Sequence, residues 1–177
     1  MKKIFLILIL LNFQLYAYDD YKEFEDVEPT AKQITKIHRT KLANITKLAK
    51  MGDTKSQILL YEIYTFGSEL SPPVFSRKFK YLKILANKNL LWAQQELAQL
   101  YFMGYTWQLK HDFHKAMYWY KKAAKNGDSK AMIRIGTMYE KGIGVKRNMW
   151  EARHWVRKAY KTGDLDAHYF VEKYAKR

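Results

Sequence analysis

Apolar positions along this chain recur at helical spacing. Ile34, Ile37, Leu42, Ile45, Leu48 and Ala49 follow one another mostly in steps of three and four, with polar and basic residues between them. That stripe predicts an amphipathic helix running to about Met51, with Thr30 as its N-cap. No segment alternates at period two for long enough to predict a strand. From Ala93 onward the pattern repeats itself. Tyr101-Phe102-Met103-Gly104 and Lys115-Ala116 through Trp119 to Gly127-Asp128 return as Tyr139 to Gly142 and Glu151-Ala152 through Trp155 to Gly163-Asp164. Ala93 and Ala131 are 38 residues apart, and Ala116–Ala152, Trp119–Trp155 and Gly127–Gly163 are each 36 apart. Self-similarity at this period predicts stacked helix pairs, none able to bury its apolar face alone.

The register extends in both directions. Ser56, Leu60, Tyr64 and Gly67 lie 37 residues before Ala93, Leu97, Tyr101 and Gly104 and open a degenerate repeat. Its second helix, about 75–88, carries Phe79, Leu82, Leu85 and Ala86 and ends near Asn89, which stands where Gly127 stands later. Asparagine is the best substitute for glycine in the left-handed conformation that ends a helix. The connection from Gly67 to Pro72-Pro73 cannot be helix interior. Ala49 to Asp53 matches Ala124 to Asp128, so 30–52 reads as a second-type helix capping the array. Ala167, Val171 and Tyr174 start the pattern once more. The expected fold is all-α, with three helix pairs and a lone helix at each end. Its divisions are 30–52, 53–90, 91–127, 128–163 and 164–177. Ala93, Ala131, Ala98 and Gly136 are small where helices cross, and Tyr101, Tyr139, Trp119 and Trp155 fill the space between pairs.

These residues resemble the Sel1-like repeats, relatives of the tetratricopeptide repeats with a longer period. The resemblance is fullest at Ala131, Ile135 to Tyr139, Gly142 to Val145 and Glu151 to Gly163, and Lys115 to Gly127 carries the family's second-helix pattern complete. Asn148 stands where the family usually has Asp, and Gly104 to Asp112 replaces a tight glycine loop with a longer aromatic one. The resemblance implies a right-handed superhelical solenoid whose concave face binds another protein. Family members with cysteine pairs across each repeat are a different subgroup, since this chain has no cysteine.

The rest of the composition adds an address and a charge. Lys2-Lys3, the apolar run Ile4 to Leu11 and the small residue Ala17 form a signal-peptide pattern, with cleavage expected after Ala17. The run is far shorter than the roughly 20 residues that span a bilayer. A periplasmic or secreted protein without disulfides or a lipid-attachment cysteine is expected. Residues 18–29 form an acidic linker with six carboxylates, and the body beyond it holds 29 basic against 11 acidic residues. A field of that sign draws acidic partners. The expected partner is a protein with an acidic surface. Nucleic acid is not expected, membrane contact is at most peripheral, and the chain is expected to be a monomer.

Candidate chemistry is sparse. His111 and His114 flank a helix start but lack a third nearby ligand, so no metal site is assigned. No serine is followed three residues later by Lys, and Gly142-x-Gly144 leads from no strand, so no nucleophile, phosphate loop or cofactor is assigned. No catalytic residue is nominated and no enzyme is expected. The residues a repeat does not need are the aromatics of the irregular loops, Tyr105, Trp107 and Phe75, which suit interface anchors. Lys121, Lys125, Arg153 and Arg157 fall on second helices, either solubilising an outer face or forming a patch for an acidic partner. The functional expectation is a periplasmic protein-binding scaffold, in its sharpest form an inhibitor or immunity protein against an envelope-acting toxin. The alternatives are an adaptor or regulator of envelope assembly, a secreted host-interaction factor, or a basic surface for anionic lipid or polyanion.

Overall fold

A computed structural model describes residues 31–67, 74–105, 108–164, 167–168 and 171, with side chains from Arg39 onward. The chain divides into two compact units. Of the first, which ends at Lys41, only the helical backbone from Ala31 and the last side chains are described, so the expected contacts of Ile34 and Ile37 lie outside the described residues. The expected leader, 1–17, and acidic linker, 18–29, lie outside them as well.

The second unit, Leu42–Arg177, holds the repeats. Seven helices are described: α1 Ala31–Lys50, which begins in the first unit, α2 Thr54–Phe66, α3 Phe75–Asn87, α4 Leu91–Met103, α5 Phe113–Lys125, α6 Ser129–Lys141 and α7 Met149–Tyr160. Ala167, His168 and Val171 are helical again beyond them. From α2 to α7 each helix packs chiefly on its neighbours in sequence, as stacked helix pairs require. No strand occurs among the described residues; one isolated antiparallel bridge joins Tyr105 and Leu109. None of the described helices is long and apolar enough to cross a membrane.

Helix ends explain the boundaries. Asp53, Asp112, Asp128 and Asn148 each cap the following helix by accepting a backbone N–H, from Ser56 at 2.7 Å in the shortest case. Asn148 accepts two, from Trp150 and Glu151, so it caps as well as the family's usual Asp. Asn89 has φ 63°, the left-handed value its alignment with Gly127 predicts.

Each pair closes on the same bond. The carbonyls of Tyr64, Tyr101 and Tyr139 accept the backbone N–H of Val74, Asp112 and Asn148 at 3.0, 2.7 and 2.9 Å. The residue bonded is the one immediately before the second helix in every case. The loops between differ in length and composition, yet the clamp is the same bond in all three. The core beneath is built from repeat-matched residues: Leu60, Leu97 and Ile135 are all fully buried, as are Ala93, Ala98, Ala116 and Ala152.

Candidate functional site

The clamps place one aromatic from each irregular loop side by side. Phe75 is the first residue of α3, directly after the clamped Val74. Tyr105 follows Gly104, whose φ of 73° ends α4. Tyr105 also exchanges both backbone hydrogen bonds with Leu109, at 2.7 and 3.1 Å. Its ring lies parallel to Phe75, with centroids 4.2 Å apart and planes within 3°. Phe75 stacks in turn on Phe79 at 5.6 Å, and Phe79 meets the edge of buried Tyr101 at 5.7 Å. Four rings therefore run from the core to the surface, and the outermost, Tyr105, is 44% exposed. Stacked pairs of this kind contribute about 0.5–1.5 kcal/mol beyond burial, so Tyr105 is presented in a fixed orientation.

Open depressions flank the ring. One, of about 210 Å³, is lined by Tyr64, Thr65, Phe75, Lys78, Tyr105 and Gln108. The other, of about 290 Å³, is lined by Met103 to Tyr105 and Leu109 to His111. Behind the first, Lys78 pairs with Glu96 at 2.8 Å, and Glu96 also accepts the Tyr61 hydroxyl proton. Burial, followed by that carboxylate acceptor, raises the Tyr61 pKa, so its hydroxyl stays a donor across the physiological range.

The cations singled out in the sequence are not gathered at this edge. Lys125 on α5 and Arg157 on α7 are exposed. Lys121 is half-buried and donates to the Tyr139 hydroxyl at 3.3 Å. Arg153 is half-buried, and its Nε is buried without a hydrogen-bond partner among the described residues. Trp107 lies outside the described residues. The sequence reading missed Phe66 and Met103, which are 62% and 70% exposed. A signal for them was present, because both stand immediately before the glycine that ends a first helix, a position Lys141 fills in the next repeat.

Tyr105, Phe75 and Met103 offer apolar area, and no three His, Cys, Asp or Glu side chains converge among the described residues. His111 stacks on Phe113 at 5.0 Å, and His154 stacks on Trp150 at 5.5 Å.

Comparison with known proteins bears on this arrangement. The family model described as Sel1 repeat matches residues 93–128 and 129–164. DAP3-binding cell death enhancer 1 of Rattus norvegicus is 38% identical over 82 residues, covering 46% of this chain and 15% of that protein. Chitin synthase regulator SKT5 of Saccharomyces cerevisiae is 32% identical over 101 residues, covering 57% and 14%. The matched region thus spans about one seventh of the length of these relatives. The crystal structure of a Sel1 repeat protein from Oxalobacter formigenes is 28% identical, with a TM-score of 0.63, over 75% of this chain and 98% of that one. Residues 93–164 are thus two Sel1 repeats, a repeat type that mediates protein–protein interactions, within an all-α repeat fold without cysteine.

Proposed function

We propose that the chain is a non-catalytic scaffold that binds another protein through the edge formed by Phe75, Tyr105 and Met103. The observation that carries this reading is the parallel Phe75–Tyr105 stack, which holds an exposed aromatic ring rigid beside two depressions. A ring ordered before binding loses little freedom on binding, and aromatics of this kind dominate interface energetics. The names of the relatives support the same class, one described as DAP3-binding and the other as a regulator of chitin synthase.

The sharper form of the proposal is a periplasmic monomer that inhibits an envelope-acting toxin as its immunity protein. Its support is the signal-peptide pattern of residues 1–17 and the aromatic loops that depart from the repeat. An adaptor of envelope assembly is favoured instead by the regulatory description of the yeast relative. Affinity capture from envelope extract, with wild type beside Tyr105→Ala, tests the scaffold. One stoichiometric protein lost with the variant is expected, and equal capture by both rules the edge out. Co-expression with the product of an adjacent gene separates the two forms, since only an immunity protein relieves toxicity.

A further inference from the structure

A second surface differs in chemistry from the aromatic edge. Helices α3, α5 and α7, the second helix of each pair, carry eleven basic residues and a single carboxylate, Glu151. The first helices, α2, α4 and α6, carry four basic residues and three carboxylates. The charge of the described body is therefore segregated by helix type. Stacked repeats put equivalent helices in one layer, so this is one basic layer rather than a general surplus.

The cations of that layer are largely held by rings. Lys122 Nζ lies 4.8 Å from the Trp119 ring centroid and 5.0 Å from that of Tyr118, and Lys158 Nζ lies 5.2 Å from Trp155. Such contacts stabilise a cation without neutralising it. Lys125, Arg157 and Lys161 stand exposed beside them. The strongly exposed apolar residues of the second helices are Tyr118 at 53%, Trp150 at 69% and Tyr160 at 44%, each a ring with a polar tip. Those at the ends of the first helices, Phe66 and Met103, have none.

This contrast separates two kinds of partner. Protein interfaces are enriched in Tyr, Trp, Phe, Met and Arg and depleted in Lys, so it is the lysines of the second-helix layer, and not its rings, that set it apart from the loop edge. Tyr and Trp among lysines are the composition of a surface lying at lipid headgroups, where rings settle at the interface and lysines meet phosphate. We infer that the α5–α7 face, centred on Tyr118, Trp150, Lys125, Arg157 and Lys161, docks the protein on an anionic phospholipid surface. This inference does not rest on the protein-partner reading, since it uses a different layer.

The test is co-sedimentation of the full chain with vesicles of phosphatidylcholine alone or with about one third phosphatidylglycerol. Neutral vesicles report any binding by the apolar residues 4–11, so the reading is the gain caused by phosphatidylglycerol. Two variants each lose three exposed cations, keeping net charge equal: Lys125→Gln/Arg157→Gln/Lys161→Gln on the second-helix layer, and Lys130→Gln/Arg134→Gln/Lys141→Gln on α6. Near a membrane each basic residue contributes about fivefold, so the first triple is expected to lose roughly a hundredfold of the gain and the second less than about tenfold. Trp150→Ala is expected to lower the gain several-fold with circular dichroism unchanged. Equal losses in the two triples would overturn the inference, because net charge alone would then act. So would no gain with phosphatidylglycerol, or binding of a poly-glutamate peptide at this face with no vesicle binding.

Discussion

Gly136 of α6 sits directly against Val156 of α7, with no room for a side chain between them. A Cβ on Gly136 would lie 2.8 Å from Val156 Cγ2 and 3.1 Å from the Ala152 carbonyl. Valine is β-branched and cannot swing aside cheaply. Overpacking of this kind costs about 1–3 kcal/mol, against about 1 kcal/mol gained when alanine replaces glycine inside a helix. Gly136→Ala is therefore expected to destabilise by up to about 2 kcal/mol, read as a lower urea midpoint by circular dichroism. A raised midpoint would mean the helices separate without penalty.

Two buried glutamines at the same repeat position should respond differently. Gln94 is fully buried and fully engaged. Its Nε2 donates to the Ala86 carbonyl and to Asn89 Oδ1, each at 3.2 Å, and its Oε1 accepts from Asn126 at 2.9 Å. Gln57 donates to the Ala49 carbonyl at 2.9 Å, but its Oε1 is buried with no partner among the described residues. The next repeat places Met132 there, also buried. Gln94→Met removes all three hydrogen bonds of a fully buried side chain, and about 1–3 kcal/mol of stability should be lost. Gln57→Met removes an unsatisfied oxygen and should cost less than about 1 kcal/mol, in paired denaturant melts.

The loop between α6 and α7 is set by a close backbone approach. A Cβ on Gly144, at φ 67°, would lie 2.5 Å from Phe113 Cβ and 3.0 Å from its carbonyl carbon. Gly127 has φ 89° but open space within 4 Å. Both alanine variants pay the left-handed cost of about 1–2 kcal/mol. Only Gly144→Ala must also move Phe113, so its thermal midpoint should fall distinctly further than that of Gly127→Ala.

Acid should weaken the helix starts. The Asp53 carboxyl is held below its ordinary value by hydrogen bonds from Ser56, and that of Asp112 by the Lys115 backbone N–H and then its side chain. A folded pKa below the unfolded one gives stability that is present above about pH 4 and is lost as pH falls through the folded pKa. Asp53→Asn and Asp112→Asn keep a capping oxygen but cannot titrate. Both variants should lose less stability than wild type between about pH 4 and pH 2, measured as thermal midpoints across that window.

The repeats were legible because their residues are matched by sterics. Ala98 and Gly136 had to be small, Asn89 had to tolerate a left-handed turn, and each is found so. The degenerate repeat was harder to read at its crossing point, where Tyr61 stands in place of Ala98 and is tied to Glu96. Phe75 and Tyr105 could be singled out as aromatics that the repeat does not need. Their parallel contact could not, because it depends on where the two clamps set the loops, and clamp bonds run through backbone atoms that carry no sequence signal. The segregation of charge onto second helices was visible in part, at Lys121, Lys125, Arg153 and Arg157. The inward turn of Lys121 and Arg153 depends on packing.

The claim that the Phe75–Tyr105 edge docks a protein is tested most directly by a photo-crosslinking benzophenone amino acid at position 105, in the cells that make the protein. A discrete adduct with one protein is expected, lost when Phe75→Ala removes the supporting ring. The same label at exposed Lys130 should give no such adduct. No adduct from position 105 in folded protein, or the same adducts from both positions, would contradict the account.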